Sequence, residues 1–337
     1  MSNPPAAATP PTSADVARLA GVSRATVSFV LNDTAGGRVG EQTRQRVRAA
    51  AAELGYVPHA AARSLRAGRT GVVLLGGSSA PIGPLFSEFY RELQGALRRR
   101  GYTSVLYGPS PGEGDEPARA WAELRPAAVL CLEPVLTPAG VDLLHRSGTR
   151  AVFTLGTAPV AGAHALIMDQ REVGAAAGAH LLATGRRRLG VVIPADPGLD
   201  QFSAPRLAGL RAAAASALAG PVETLPLDFT EASGAAAAAR CRDLGLDGVF
   251  GYNDEYAMLL LRSLQDLGLD VPARVALVGA DDLLLGRLLR PRLSTVHMTL
   301  PGGESLATLI DEIIADPTTT PATRNLLTVR LIPRDSS

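Results

Sequence analysis

The sequence predicts a small all-α head, a helix-turn-helix, joined to a large α/β body of two parallel-sheet subdomains with a cleft between them. Three observations predict it. Residues 12–57 hold three short amphipathic helix patterns around a tight Ala20-Gly21-Val22 turn. Beyond Thr70, short Val/Leu/Ile runs alternate with longer amphipathic stretches, the pattern of parallel sheets covered by helices on both faces. The body holds roughly 265 residues, more than one comfortable core, so two subdomains are expected.

In the head, Thr12-Ser-Ala-Asp15 has the layout of a capping box and opens a helix with Val16, Leu19 and Ala20 expected on one face. Gly21 ends it. Ser23 can cap a second helix, Arg24 to Leu31, whose Val27, Val30 and Leu31 fall at i, i+3, i+4. A Gly-rich loop then leads to a third helix from about Glu41 to Leu54, with Val47, Ala51 and Leu54 inward. From Pro58 to Arg69 the chain has helix propensity but one large apolar residue, Leu65. That stretch is too short to be helical unless docked.

In the body, strands are predicted at 72–76, 103–107, 127–132, 150–155, 188–193, 222–227, 247–251 and 275–279. Helices are predicted near 85–100, 116–124, 138–146, 170–184, 204–217, 231–243, 254–267 and 301–315. The Ala-rich stretches 212–215 and 235–239 lie inside helix patterns and imply close helix–sheet packing.

Composition narrows the chemistry. All 33 basic residues are arginine, which excludes P-loop hydrolysis, Schiff-base chemistry and pyridoxal attachment, each of which needs lysine. Two cysteines, Cys131 and Cys241, are too few for a disulfide framework or a thiolate zinc site. No metal and no cofactor is expected. No apolar run reaches the length of a membrane span, and residues 1–11, an Ala/Pro/Thr-rich tail expected to be disordered, lack the layout of a secretory signal. The cytoplasm, with association to the nucleoid, is the expected compartment. Charge is uneven: residues 1–69 carry nine arginines against four acids, while the rest is net acidic. A basic head on an acidic body points to a polyanion at one end.

The outward face of the second helix says which polyanion. With Val27, Val30 and Leu31 inward, Arg24, Ala25, Ser28 and Phe29 form an outward patch. In a helix-turn-helix such a patch faces the major groove: Arg can pair with guanine edges, Ser with a phosphate or base, and Ala or Phe can touch a thymine methyl. Packing of Phe29 on a neighbouring helix is the alternative. Leu65, flanked by Arg63, Arg66 and Arg69, has the character of a minor-groove wedge held by phosphate contacts, or of a leucine resting on the body.

Asp15-Val-Ala, Ala20-Gly-Val-Ser23, Thr26-Val-Ser28, Leu31-Asn32, Thr43-Arg44, Leu54-Gly-Tyr-Val-Pro58 and Ala62-Arg-Ser-Leu65 stand in the order and spacing of the LacI/GalR family of transcriptional regulators, which this chain resembles. The likeness continues through Leu182–Gly190, Arg206-Leu-Ala-Gly209, Tyr252-Asn-Asp254, Val278–Asp282 and Pro291–Val296. It implies a repressor that binds a near-palindromic DNA operator as a homodimer, under allosteric control by a small molecule, sugar-like in class. The resemblance implies DNA contacts from Thr12, Ser23, Arg24, Ala25, Thr26, Ser28, Phe29 and Asn32, and from His59, Ala62, Arg63, Leu65 and Arg66 of the linker. It implies a periplasmic-binding-protein-like core. The domains implied are a tail at 1–11, the DNA-binding head at 12–57, a hinge linker at 58–69, and a core at 70–337. Within the core, one subdomain takes 70–168 and 297–327 and the other 169–296 and 328–334, with crossings near Met168, His297 and Leu327.

For the cleft, Arg206 matches the family's clamp for hydroxyls or carboxylates, and Asp281 an acid that accepts from hydroxyls. Asn253 sits at a strand end, where cleft ligands meet the chain. Phe86, Phe202 and Phe229 are candidate apolar walls. Asp169 is a candidate contact, although it and Asp254 serve equally well as helix N-caps. The chain departs from the family at Phe29, where arginine is usual, at His59, where asparagine is usual, and in a longer loop from Asn32 to Val39. In the cleft, Gly156, Ala280 and Met298 replace residues that are commonly polar or aromatic, so a phosphorylated, deoxy, larger or more apolar ligand stays open. No G-x-S-x-G, H-E-x-x-H or G-x-G-x-x-G occurs, and no enzymatic activity is expected. Two alternatives remain: regulation by a protein partner or without an effector, and a carbohydrate-binding protein with no regulatory role.

Overall fold

The computed structural model describes residues 10–31, 39–57, 70–77, 83–108, 114–132, 135–156, 158–217 and 220–337. The chain divides into two units, one up to Thr70 and one from Gly71 to Ser337.

The first unit has three helices, α1 (Ser13–Ala20), α2 (Arg24–Leu31) and α3 (Glu41–Glu53). Thr12 caps α1: the Asp15 carboxylate accepts from the Thr12 N–H at 2.9 Å and its hydroxyl at 2.7 Å, while the Asp15 N–H donates back to the hydroxyl at 3.4 Å. Gly21 ends the helix at φ +64°, a left-handed angle that a Cβ disfavours even though nothing near it would be struck. The buried core is Val16, Ala17 and Ala20 with Val27, Val30 and Val47. Leu31 and Leu54 pack at its edge. Leu19, expected inward, is instead 47% exposed. The inward stripe is Val16, Ala17 and Ala20, whose centre lies roughly 100° around the helix from Leu19.

The second unit begins with β1 (Val72–Gly76), α4 (Pro84–Arg99), β2 (Thr103–Tyr107), α5 (Glu116–Glu123), β3 (Ala128–Cys131), α6 (Pro138–Arg146), β4 (Ala151–Gly156) and β5 (His164–Ile167). Past Met168 the chain enters a second set: α7 (Gln170–Ala183), β6 (Leu189–Pro194), α8 (Asp200–Ala214), β7 (Glu223–Leu227), α9 (Glu231–Asp243), β8 (Gly248–Phe250), α10 (Asp254–Asp266), β9 (Ala276–Ala280), α11 (Leu284–Leu288) and β10 (Ser294–Thr299). It then supplies α12 (Gly303–Ala315) and β11 (Thr323–Asn325) to the first set, and β12 (Thr328–Ile332) to the second.

Two six-stranded sheets result, in the orders β11-β5-β4-β3-β1-β2 and β12-β10-β9-β8-β6-β7. The first is parallel throughout. The second is parallel except for β12, which runs antiparallel to β10, a departure from the all-parallel expectation. Side chains alternate across each sheet, as the period of two requires: Val73 and Leu75 face α4 and α12, while Leu74 faces Trp121 of α5 and Leu144 of α6.

Strands β5, β10, β11 and β12 and helix α11 were not predicted. β5 and β11 are only 4 and 3 residues long, and α11 only 5. β12 is half exposed with two arginine-flanked positions and has no apolar run. α8 starts at Asp200, ahead of the expected start near 204. β10 runs on through His297 to Thr299, pairing with β12, so the chain leaves the second sheet after Thr299. The expected hinge helix, residues 58–69, lies outside the described residues.

Candidate functional site

On the head, Arg24, Ala25 and Phe29 are exposed, Phe29 by 46%. Ser28 and Thr26 are half-buried. Ser23 caps α2 by accepting from the Thr26 N–H at 3.1 Å, and its hydroxyl shares a 2.9 Å hydrogen bond with that of Thr26. The Thr12 hydroxyl is engaged in the box with Asp15. The predicted head residues thus split into two groups: Arg24, Ala25 and Phe29 face outward, while Thr12, Ser23 and Thr26 hold helix ends. Asn32, His59, Ala62, Arg63, Leu65 and Arg66 lie outside the described residues.

In the second unit, a cavity of about 790 Å³ opens between the two sheets' helices and strand ends. Asp196 follows β6, Asp228 and Phe229 follow β7, Tyr252 and Asn253 follow β8, and Asp281 follows β9; all six line it. Consecutive parallel strands deliver their following residues to the same rim, which is where ligands of open α/β sheets bind.

Arg206 lies on α8, only 5% exposed. Its Nε donates to Gln170 Oε1 at 2.9 Å and its Nη1 to the Tyr252 carbonyl at 2.8 Å, and its Nη2 approaches the Met298 sulfur at 3.7 Å. The guanidinium also lies over the Tyr252 ring, 4.8 Å from its centre. Each of its three nitrogens thus has a partner in the protein, the Met298 thioether being the weak one. The seat depends on two glycines. A Cβ at Gly174 on α7 would strike the Arg206 carbonyl, and one at Gly209 on α8 would strike the Arg171 carbonyl. The two helices touch backbone to backbone.

Asp281 presents its carboxylate from a turn with φ +101°, followed by Asp282 at φ +56°. Left-handed angles at two non-glycine residues persist where the surroundings hold them. Here the Asp282 carboxylate binds Arg287 at 2.8 Å and also Arg334. Behind the turn, fully buried Asp254 accepts from the Leu283 N–H at 2.7 Å and from the Thr295 hydroxyl at 2.7 Å. Burial pushes Asp254 up to about 7. Burial also raises Asp281, opposed by the charge of Arg206, and raises Glu255. No hydrogen bond from a described residue reaches the Asp281 carboxylate.

Of the residues predicted for the cleft, Phe86, Phe202, Arg206, Phe229, Asn253 and Asp281 line the cavity. Phe229 is 61% exposed and packs at a tilt against Tyr256, 5.2 Å between ring centres. Asn253 is also the N-cap of α10, accepting from the Tyr256 N–H at 3.0 Å. Asp169 does not line the cavity: its carboxylate caps α7 through the Arg171 N–H at 2.9 Å, and its neighbour Gln170 takes the inward position. Asp254 is neither a cap nor a wall but the buried support of the Asp281 turn. Met298 lines the cavity, whereas Gly156 and Ala280 do not. Sequence reasoning missed Gln170, Asp196, Asp228, Tyr252 and Glu255. The rule that found Asn253, a polar residue within three positions of the end of a predicted strand, would have found Asp196 and Asp228. Nothing local marks Gln170.

Residues 12–59 match the bacterial regulatory proteins of the lacI family, and residues 179–337 match the periplasmic binding protein-like domain. The chain is 33% identical over 340 residues to the HTH-type transcriptional regulator CelR of Thermobifida fusca, covering 97% of this chain and 98% of that protein. It is 32% identical over 297 residues to the ribose operon repressor of Escherichia coli, covering 84% and 86%. A solved complex of the transcriptional regulator CelR with cellobiose superposes with a TM-score of 0.62 at 28% identity, covering 97% of this chain and 100% of that one.

Proposed function

This chain belongs to the lacI family of bacterial regulatory proteins and is a DNA-binding transcriptional regulator, and from that premise we propose that it is a homodimeric, cytoplasmic repressor whose grip on a near-palindromic operator is set by a carbohydrate-type ligand in the cleft. The observation that carries the DNA half is the outward patch of Arg24, Ala25 and Phe29 on a capped helix whose other face closes a core of its own. An exposed face of this composition fits a major groove. The ligand half rests on Asp281, a carboxylate held by a strained turn toward a cavity and left with unused acceptor capacity. The relatives' names supply the class: one solved relative holds cellobiose, and another is a ribose operon repressor.

Homodimerisation is supported by Leu284, Leu285 and Leu288 on α11, 67%, 59% and 65% exposed, an apolar cluster that a second copy would cover. Two heads also read two half-sites, which one head cannot do with genomic specificity. Leu65 and its arginines are assigned to the minor groove, and Leu65→Ala is expected to weaken specific binding far more than non-specific binding.

The test is selection of bound duplexes from a random pool at physiological salt. A palindromic consensus is expected, with affinity falling steeply as salt rises. Phe29→Arg is expected to move the preferred base at one half-site position toward guanine. No preference over scrambled competitor ends the DNA reading. Calorimetry with glucose, galactose, ribose and cellobiose tests the ligand half.

A further inference from the structure

The short helix α11 lies over a buried acid. Asp254, at the start of α10, is fully buried, and its carboxylate sits between two layers. On one side are β9 and β10: a Cβ at Gly279 would strike Oδ1, to which the Thr295 hydroxyl donates at 2.7 Å. On the other side is α11: the N–H of Leu283, its N-cap residue, donates to Oδ2 at 2.7 Å, and a Cβ at Gly286 would lie 3.6 Å from Oδ2. The same helix carries the exposed Leu284, Leu285 and Leu288.

Among the described residues no cation is paired with that carboxylate; the charged groups around it are engaged elsewhere. Asp281 faces Arg206. Asp282 binds Arg287 of α11 and Arg334, and Nδ1 of His297 on β10 lies 3.5 Å from the Asp282 oxygen that Arg287 holds. Glu255, next on α10, lines the cavity. An ionised carboxylate buried without a cation is costly, so burial favours the protonated form. Burial is the main cause that lifts Asp254 to about 7; the bonds from Thr295 and Leu283 oppose it, and the charges of Asp281 and Asp282 add to it. The protonated form also fits the site. Its Oδ1 can donate to the Thr295 oxygen, since a hydroxyl accepts as well as donates, while Oδ2 still accepts from Leu283.

We infer that α11 is a proton-linked cover, closed over Asp254 while the carboxyl is protonated and loosened as it ionises, so that self-association through its leucines is tighter in acid than in base. The association half rests on the homodimer reading; the cover does not. Lifting α11 is the motion that returns the carboxylate to water. β9 is held in its sheet by β8 and β10, and β10 by β9 and β12. α11 is tied by the Leu293 N–H to the Gly286 carbonyl at 2.9 Å and by the Arg287–Asp282 pair. With α11 closed the carboxyl titrates at about 7, and with α11 lifted it moves toward its ordinary 3.8. Between those values the closed state keeps a proton that the lifted state gives up. Closure therefore weakens as pH rises through that window and stays level above about 7. A second copy that covers the leucines binds the closed state, so association follows the same window.

The experiment is hydrogen exchange on the full chain at pH 5.0, 6.0, 7.5 and 8.5, with rates corrected for the intrinsic pH dependence. Protection of the α11 amides is expected to fall about tenfold or more from pH 5.0 to 7.5 and to change little beyond. β9, on the other side of the carboxylate, is expected to lose less. Asp254→Asn is expected to make α11 protection independent of pH. Thr295→Val, which removes a bond to the carboxylate, is expected to move the midpoint to higher pH. Sedimentation equilibrium over the same series is expected to show a dimer about threefold or more tighter at pH 5.0 than at 7.5, with the difference lost in Asp254→Asn. Protection of α11 that ignores pH, or β9 that opens as much as α11, overturns the cover. A cover that follows pH beside a dimer constant that does not overturns the link to association. A chain that is monomeric at every pH overturns the homodimer reading and that link with it, while the exchange data still decide the cover.

Discussion

Arg24 and Arg206 put the same side chain to opposite uses. Arg24 stands exposed at the start of α2, with no partner among the described residues. Arg206 is buried on α8, its fork divided between Gln170, Tyr252 and Met298. A residue that reads a macromolecule has to be available, so the head keeps its arginine outside the core. A residue that shapes a cavity has to be immobile, so the body spends its arginine on the scaffold. The family resemblance implies a ligand clamp at Arg206. The structure adds a prior duty: Arg206 joins α7, α8 and Tyr252 beyond the end of β8 before any ligand arrives.

The strongest way to break that contrast is to remove the seat. Gly174→Ala on α7 is expected to cost about 3 kcal/mol or more, because the added methyl meets the Arg206 backbone, which cannot rotate away. Thermal denaturation of the body measures it. A melting temperature unchanged within error would mean that α7 and α8 separate freely, and Arg206 would then not be fixed by them.

The two arginines themselves come next. Arg206→Ala is expected to lower stability by about 2–3 kcal/mol, since the buried Gln170 and Tyr252 acceptors lose their donor, and to abolish ligand response. Arg206→Lys is expected to rescue little, because an ammonium cannot reproduce the planar fork. Arg24→Ala is expected to leave stability within about 0.5 kcal/mol and to weaken specific DNA binding by about 1–3 kcal/mol. Denaturation and DNA titration on both variants give four numbers. Equal stability losses in the two would erase the distinction.

A pH experiment sharpens the same comparison from inside the body. Asp254 sits at about 7 against an ordinary 3.8, with burial the main cause. Below about pH 4 its carboxyl is protonated in folded and unfolded chains alike. Between 3.8 and about 7 the unfolded chain gives up the proton while the folded chain keeps it, so stability falls as pH rises, and the fall ends above about 7. Asp254→Asn is expected to flatten that slope in melts across pH 4–8. It is also expected to weaken ligand binding, because the turn that aims Asp281 hangs from Asp254. An unaltered slope would place the responsible group elsewhere.

How much of this was legible in the sequence follows the same division. The head was read almost whole, since its caps, its turn glycine and its outward face are separated by three or four residues and one helix period relates them. Leu19 failed because two adjacent alanines outweighed one leucine in deciding which face turned inward. The body's alternation was legible wherever strands were apolar runs, and was lost at β5, β11 and β12, which are short or exposed edge elements. The cleft was legible only as far as single strand ends allow. Gln170 is 36 residues from the arginine it holds, and no period or spacing joins the two. Asp169 stood open between ligand contact and cap because both call for the same residue at the same helix start; the chain takes the cap and turns its neighbour Gln170 toward the cavity.

The smallest expected effect lies back in the head, where function and stability meet in one hydroxyl. Thr12 is assigned a DNA contact, yet its hydroxyl already closes the box with Asp15. Thr12→Ala is expected to cost the head about 1 kcal/mol, as loss of a helix cap does, and Thr12→Ser to cost less because the oxygen remains. The hydrogen bond from the Thr12 side chain is the main cause holding the Asp15 carboxyl below its ordinary value. A depressed carboxyl stabilises the folded head above the ordinary carboxylate range, and that stabilisation is lost as pH falls through the lowered value. The cost of Thr12→Ala is therefore expected to shrink in acid, where a protonated Asp15 no longer accepts from Thr12. If DNA affinity tracks this loss of stability, falling with Thr12→Ala and returning with Thr12→Ser in step with the melts, Thr12 serves DNA binding by fixing the start of α1. If affinity falls while the melt stays put, the hydroxyl leaves the box to touch a phosphate.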